Sequence, residues 1–303
     1  MAEKLRSLLE APGAIELPGC YDTMSAMIIE EVGFACVFLS GYGVAASLMG
    51  NPDIGLTTMS ETTMMARYVT SRVGIPVIVD ADNGYGNEDN VVRTVRELES
   101  GGAAAMVMED QVLPKRCGHT NKKKILPLEI YMRKLDFAMR ARQTPMCIVA
   151  RTDSMDLDDA IKRAKAFHSA GADILLIDGL RSLDQMKRVC DEVPGNKQVN
   201  LIWGGVTPSM QVAQFHQMGF KVVQYSTPAL YVASRMLRAT MGRLRETKQL
   251  DAIADYSDSF HEFQRFIEDR YIQQARNEHI YPDDESIAWA DSVLVPRNPA
   301  EGL

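Results

Sequence analysis

Disulfide chemistry has little to work with in this chain. The five cysteines (20, 36, 117, 147 and 190) are odd in number and scattered, and no two form a C-x-x-C pair. That excludes a disulfide scaffold and a zinc ribbon and suits a reducing compartment, so a cytoplasmic protein is expected. Long apolar runs are missing too: none approaches the ~18 residues that a membrane span requires. The opening MAEKLRSLLEAPG has no basic stretch followed by an apolar one, so no secretory leader is expected. Positive charge is in deficit, with 33 Lys and Arg against 40 Asp and Glu and a net charge of −7. A nucleic-acid partner needs a basic surface to neutralise phosphates and is not expected.

What is present is a large apolar fraction, 46% of 303 residues, arranged in a repeating pattern. Eight short β-branched or apolar runs occur at 14–19, 36–41, 76–82, 105–110, 147–153, 174–179, 200–205 and 222–226. Between them lie segments of helical spacing that end in glycine, such as 24–33, 88–102 and 157–172. Eight βα units predict an α/β fold of the (β/α)8 barrel type over residues 1–245. An open doubly wound sheet, the main rival, would use fewer strands and a point where strand order reverses. No linker or low-complexity segment interrupts residues 10–245, so they form one domain. The tail, 246–303, is expected to be helical. Tyr256, Phe260, Phe263 and Ile267 form an aromatic stripe that packs either on its own barrel or on a partner subunit.

In such a barrel, chemistry collects where the strands end. Run three ends Asp80-Ala81-Asp82, and two residues apart on a strand share a face, so both carboxylates should point one way. Glu109 closes run four and Asp53 follows run two. Crowded like charges call for a cation, and oxygen donors without paired His or Cys favour Mg²⁺ or Mn²⁺. Helix-capping carboxylates are the alternative. Arg151 closes run five, where it either grips a substrate carboxylate or pairs with Asp153 or Asp178. Gly41-Tyr42-Gly43-Val44-Ala45-Ala46 matches G-x-G-x-x-A but does not start the first βαβ unit, so its N–H groups are expected to hold a carboxylate, not a dinucleotide. His168, His216, His261 and His279 lie in helical patterns and read as structural.

The stretch PKRCGHTNKKK, 114–124, sets Cys117 among Lys115, Arg116, His119 and Lys122–Lys124, against the global charge. It is either a solvated basic loop or a mobile lid over the site. In the second case the cations are expected to lower the Cys117 pKa and to attract an anionic substrate.

Taken in order, SGYGVAASLMGNPDIGL (40–56), DADNGYGN (80–87), EDQVLPKRCGH (109–119) and ARTD (150–153) resemble the isocitrate lyase/phosphoenolpyruvate mutase superfamily, over residues 5–245. The resemblance implies a Mg²⁺-dependent enzyme acting on 2-hydroxy or 2-oxo di- and tricarboxylates. It also implies a helix-swapped barrel, usually a homotetramer. Its loop sequence is similar to that of small lyases of the 2-methylisocitrate and 2,3-dimethylmalate type. By this resemblance Asp82 binds the metal, with Asp53, Asp80 and Glu109 acting through water. Arg151 and N–H groups at Ser40–Gly43 hold carboxylates. Lys115, Arg116 and His119 position substrate, Cys117 protonates the departing carbanion, and Tyr42 or Glu109 is the base. Asn200 follows the family pattern. Asp178 stands where Glu is usual, Trp203 where an acid is common, and Ser226 where the lyases carry proline and oxaloacetate hydrolases serine. Alternatives are therefore oxaloacetate hydrolysis, carboxyphosphonoenolpyruvate-type phosphorus chemistry, and a barrel that binds without turnover.

Overall fold

A computed structural model describes residues 1–119 and 123–277. In chain order the elements are α1 (Ala2–Glu10), β1 (Ile15–Cys20), α2 (Thr23–Glu31), β2 (Val37–Leu39), α3 (Gly41–Met49), α4 (Met59–Thr70), β3 (Val77–Asp80), α5 (Glu88–Ser100), β4 (Ala105–Glu109), α6 (Leu128–Ala141) and β5 (Cys147–Thr152). There follow α7 (Leu157–Ser169), β6 (Ile174–Ile177), α8 (Leu183–Glu192), β7 (Asn196–Leu201), α9 (Val212–Met218), β8 (Val222–Tyr225), α10 (Pro228–Thr247), a 3₁₀ turn (Leu250–Tyr256) and α11 (Phe260–Asn277). The strands close in sequence order, every neighbouring pair parallel, into the expected (β/α)8 barrel. No helix among the described residues is long and apolar enough to cross a membrane.

Strand alternation sorts the side chains. Ile15, Leu17, Phe38, Ile78, Val107, Val149, Ile174, Leu176 and Val222 join in one buried cluster inside the barrel. Two residues further along the same faces stand Asp80, Glu109, Arg151 and Asp178, so charge replaces hydrocarbon at the C-terminal rim. The helices start on sequence-encoded caps: Asp22, Thr58 and Asn87 each accept from the third backbone amide of their helix.

Strand seven departs from expectation. It runs over Asn196–Leu201, not 200–205. Lys197 made this stretch look unlike a strand, yet its ammonium is buried against the carbonyls of Val193 (3.0 Å) and Gly195 (2.9 Å). The apolar Ile202 and Trp203 fall in the turn that follows, and Trp203 is 90% exposed.

The chain divides into two compact units, 1–231 and 232–303, so the division falls inside α10, earlier than the 245/246 boundary read from sequence. In the second unit Tyr256 ends the 3₁₀ turn and the helical stripe begins at Phe260. Val232, Leu237, Leu250 and Phe260 are exposed there. Lys122 and His279 lie outside the described residues.

Candidate active site

Asp80 and Asp82 do meet, but not by strand alternation. β3 stops at Asp80, and Asp82 sits at φ 47, a left-handed turn that a non-glycine residue adopts at a cost. The turn is held by the Asp82 amide donating to Asp80 Oδ1 (3.3 Å) and the Glu109 amide donating to the Asp82 carbonyl (2.8 Å). Asp53, between α3 and α4, completes the acidic group. Lys115 is buried among these carboxylates: its Nζ lies 2.8 Å from Asp53 and also bonds Asp82. Burial alone would lower the Lys115 pKa, but Asp82, Glu109, Asp80 and Asp53 together keep it well raised as an ammonium. Burial, with Asp80 and Asp53 nearby, pushes Asp82 up to about 6 in spite of Lys115. Burial likewise raises Glu109 well above the carboxylate range, and its Oε1 has no hydrogen-bond partner.

This donor set fits a hard divalent cation, which would restore the ionised forms and engage the orphaned Oε1. Among the described residues no three His, Cys, Asp or Glu side chains already stand at direct ligand distance around one point. Asp53, Asp80, Asp82 and Glu109 thus gather around the Lys115 ammonium at the rim. A cavity of about 340 Å³ opens beside Asp82, lined by Thr57, Ser60, Asn83, Tyr85 and Leu113 among others.

The 110–125 segment folds over the rim from a paired stem. Gln111 and Ile125 form an antiparallel bridge, with Val112 donating to the Lys124 carbonyl (2.9 Å) and Leu126 to that of Asp110 (2.8 Å). Gln111 also grips the Arg116 backbone at both ends of its amide, 2.9 and 2.8 Å. The expected cation cluster around Cys117 does not form. Lys115 turns to the acids, and the Arg116 side chain is exposed, so it is no part of the catalytic group. His119 is set by Val206, whose amide donates to Nδ1 (3.1 Å), and its Nε2 faces Asp178 at 3.6 Å. Lys123, one of the lysines of the basic run, donates to the Gly118 carbonyl (2.8 Å) and pairs with Asp153 (3.0 Å). Burial raises the Cys117 thiol above its ordinary value, with Asp178 adding to burial and Arg151 opposing it. The lowered pKa read from sequence is thus reversed, because burial outweighs the His119 backbone hydrogen bond and the Arg151 charge that would lower it.

Arg151 is tied by Nε to Asp153 (2.9 Å) and by Nη2 to Asp178 (2.8 Å) and Glu109 (3.3 Å). The ion-pair reading is the one seen here: Arg151 is a buried hub at the rim. Burial alone would raise the Asp178 pKa, but Arg151, helped by His119, holds it well below the usual range.

The segment from Ser40 is not a loop. Ser40 caps α3, its Oγ accepting from Gly43 (3.2 Å), while its own amide donates to Cys20 and that of Gly41 to Asp80 Oδ2 (3.3 Å). Three of the four amides expected to hold substrate are therefore used within the protein. A Cβ on Gly41 would come 2.9 Å from Asp80 Oδ2, which explains glycine there. Tyr42 packs edge-on to Tyr231, and burial with that contact pushes its phenol up to about 12. Asn200 donates to Asp178 Oδ1 (3.0 Å), and Ser226 donates to Asn200 Oδ1 (2.5 Å). Trp203, on its exposed turn, forms no wall of the site.

The family model for phosphoenolpyruvate phosphomutase matches residues 5–245. The chain is 38% identical over 266 residues to 2,3-dimethylmalate lyase of Eubacterium barkeri, covering 86% of this chain and 92% of that one. It is 38% identical over 260 residues to 2-methylisocitrate lyase of Aeropyrum pernix, covering 85% and 83%. Its fold superposes on a structure of oxaloacetate acetylhydrolase with a TM-score of 0.84 at 30% identity, over 91% of this chain and 94% of that one. The chain belongs to the phosphoenolpyruvate mutase/isocitrate lyase superfamily and is an enzyme of that family.

Proposed function

We propose that the protein is a Mg²⁺-dependent carbon–carbon lyase that cleaves a small 2-hydroxy di- or tricarboxylate into a 2-oxo acid and a second carboxylic acid. The observation that carries this reading is the placement of Cys117 on the segment whose Lys115 enters a buried group of carboxylates, Asp53 and Asp82 among them; burial raises the thiol's pKa, which suits a proton donor. Mg²⁺ (or Mn²⁺), when bound, supplies the positive charge that stabilises the oxygen anion developing as the bond breaks. Asp82 would hold it directly, and Asp53, Asp80 and Glu109 through water. A substrate carboxylate binds at the Nη1 end of Arg151, whose Nε and Nη2 are committed to protein carboxylates. Glu109 would serve as the base in the ionised form that a bound cation favours, since burial by itself raises it above the carboxylate range. It takes the 2-hydroxyl proton, the C–C bonding pair passes to the carbon alpha to the departing carboxylate, and the Cys117 thiol protonates that carbon. His119, buried against Asp178, fixes the lid.

The test is a product assay with Mg²⁺ on 2-methylisocitrate, 2,3-dimethylmalate, isocitrate, malate and oxaloacetate, for wild type and Cys117→Ser. Release of a 2-oxo acid from a hydroxy acid, lost in the variant, is the expected result. Oxalate from oxaloacetate alone would favour the second reading, hydrolysis of a 2-oxo acid. Ser226 at the rim and the likeness to oxaloacetate acetylhydrolase support that alternative. We also infer a cytoplasmic homotetramer in which the apolar residues of the 232–303 unit, among them Leu237 and Phe260, meet a second copy.

A further inference from the structure

Two glutamines stand inside the barrel where hydrocarbon would pack. Gln198 lies in register with Leu176 and Val222, and Gln224 with Asn200 and Leu17. Both are fully buried. A buried amide without all its partners costs roughly 1–3 kcal/mol. Gln198 does leave its Oε1 unpartnered, so packing stability does not account for these residues.

Their hydrogen bonds form a chain with a fixed direction. The Asp178 carboxylate is held ionised and can only accept, so Asn200 must turn its amide nitrogen toward it, at 3.0 Å. The Asn200 oxygen then faces β8, where it accepts from Ser226 Oγ at 2.5 Å and Gln224 Nε2 at 3.2 Å. Gln224 directs its other amide hydrogen to Ser226 Oγ, at 2.5 Å. Its oxygen is left to accept from Gln198 Nε2. Each orientation follows from the one before, and the first is imposed by a charge.

The consequence falls on Ser226. A hydroxyl has one proton and two lone pairs. The proton is committed to Asn200 and one lone pair to Gln224, so what remains for a ligand is a lone pair. We propose that Gln224, held by Gln198, is a positioning residue for specificity: it locks Ser226 as an acceptor, so the enzyme selects an acid that turns a hydroxyl donor toward β8. That donor is an alcohol or one arm of a hydrated ketone. A methyl at that point gains no hydrogen bond, and a carboxylate oxygen meets a lone pair. The inference rests on the reading of this site as one for a small carboxylic acid.

The experiment is equilibrium binding by titration calorimetry, with the full-length protein and Mg²⁺, of tartrate and 3-methylmalate. These acids differ at C3 by hydroxyl against methyl. Wild type is expected to bind tartrate at least tenfold tighter. Gln224→Leu and Ser226→Ala should each erase that ratio, and the double variant should be no worse than either. Should Gln224→Leu fail to fold, Gln198→Leu decides, by a smaller loss of the ratio without a change beside Ser226. Loss of the ratio in Ser226→Ala alone overturns the brace, and a wild-type preference for the methyl acid overturns the acceptor assignment. Turnover of no acid in the product assay, with the binding ratio intact, removes the lyase reading and leaves this inference standing.

Discussion

Lys115 Nζ lies 2.8 Å from Asp53, which ties the 110–125 lid to the segment between α3 and α4. The same ammonium bonds Asp82, so the lid carries a cation into the place where the chain's carboxylates are most crowded. Breaking a buried pair from one side costs roughly 3–5 kcal/mol, because the opposite charge stays behind. Lys115→Met is therefore expected to be destabilised by about that much in EDTA. Mg²⁺ should recover more of its melting temperature than it adds to wild type. Thermal denaturation with and without Mg²⁺ checks this. An equal response in both proteins would mean that lysine and metal do not share these carboxylates.

Cys117 should behave as an acid. Its pKa is raised above the ordinary thiol value by burial, so it is protonated at neutral pH, and its donor role is lost only as pH rises through that raised value. Alkylation of Cys117 by iodoacetamide, followed by mass spectrometry, should still be accelerating at pH 9. A plateau below pH 7 would identify a standing thiolate instead. Cys117→Ser should lower kcat by roughly 10²–10⁴-fold with little change in KM.

Gly118 is a test of closure. A Cβ there would lie 1.7 Å from Asp178 Oδ2 and 2.6 Å from Arg151 Nη2, an overlap that the buried ion pair cannot relieve. Gly118→Ala should keep its melting temperature, lose at least about 10²-fold in kcat through misplacement of Cys117, and be cleaved faster by protease within 112–124. An unchanged kcat would show that chemistry proceeds with the lid open.

Arg151 carries charge and shape together. Arg151→Leu strands Glu109, Asp153 and Asp178, and a loss of about 3–5 kcal/mol is expected at pH 7. Without the guanidinium the Asp178 pKa rises above its unfolded value, so this group should add stability to the variant as pH falls through the raised value, whereas in wild type it loses stability only below the ordinary carboxylate range. Arg151→Lys should fold but lose kcat/KM, because an ammonium cannot reproduce the fork that spans Asp153 and Asp178. Urea denaturation at pH 5 and pH 8 separates the two variants.

The barrel could be read from sequence because buried parallel strands write themselves as apolar runs, and Asp80 and Glu109 each close one. The reasons were less secure than the residues. Asp80 and Asp82 were paired by strand alternation, whereas the left-handed turn at Asp82 brings them together. Trp203 is singled out by resemblance, at a position where an acid is common, whereas β7 ends at Leu201 and leaves the indole on an exposed turn. Ser40 had the makings of a helix cap, and reading it so would have converted the 41–49 loop to a helix. Lys123 with Asp153, and Gln198 with Gln224, pair across 30 and 26 residues, beyond what periodicity can signal.

The stem of the lid has an implication for protein engineering. Gln111 and Ile125 pair at its base, and Gln111 clasps the backbone of Arg116, so the stretch Gln111–Arg116 is braced from within. Among the described residues, Lys115, His119 and Lys123 anchor it to the rest of the molecule. Residues 112–124 can therefore be exchanged between relatives as a cassette, with those three anchors kept, so that chemistry could be re-specified without redesigning a single strand of the barrel.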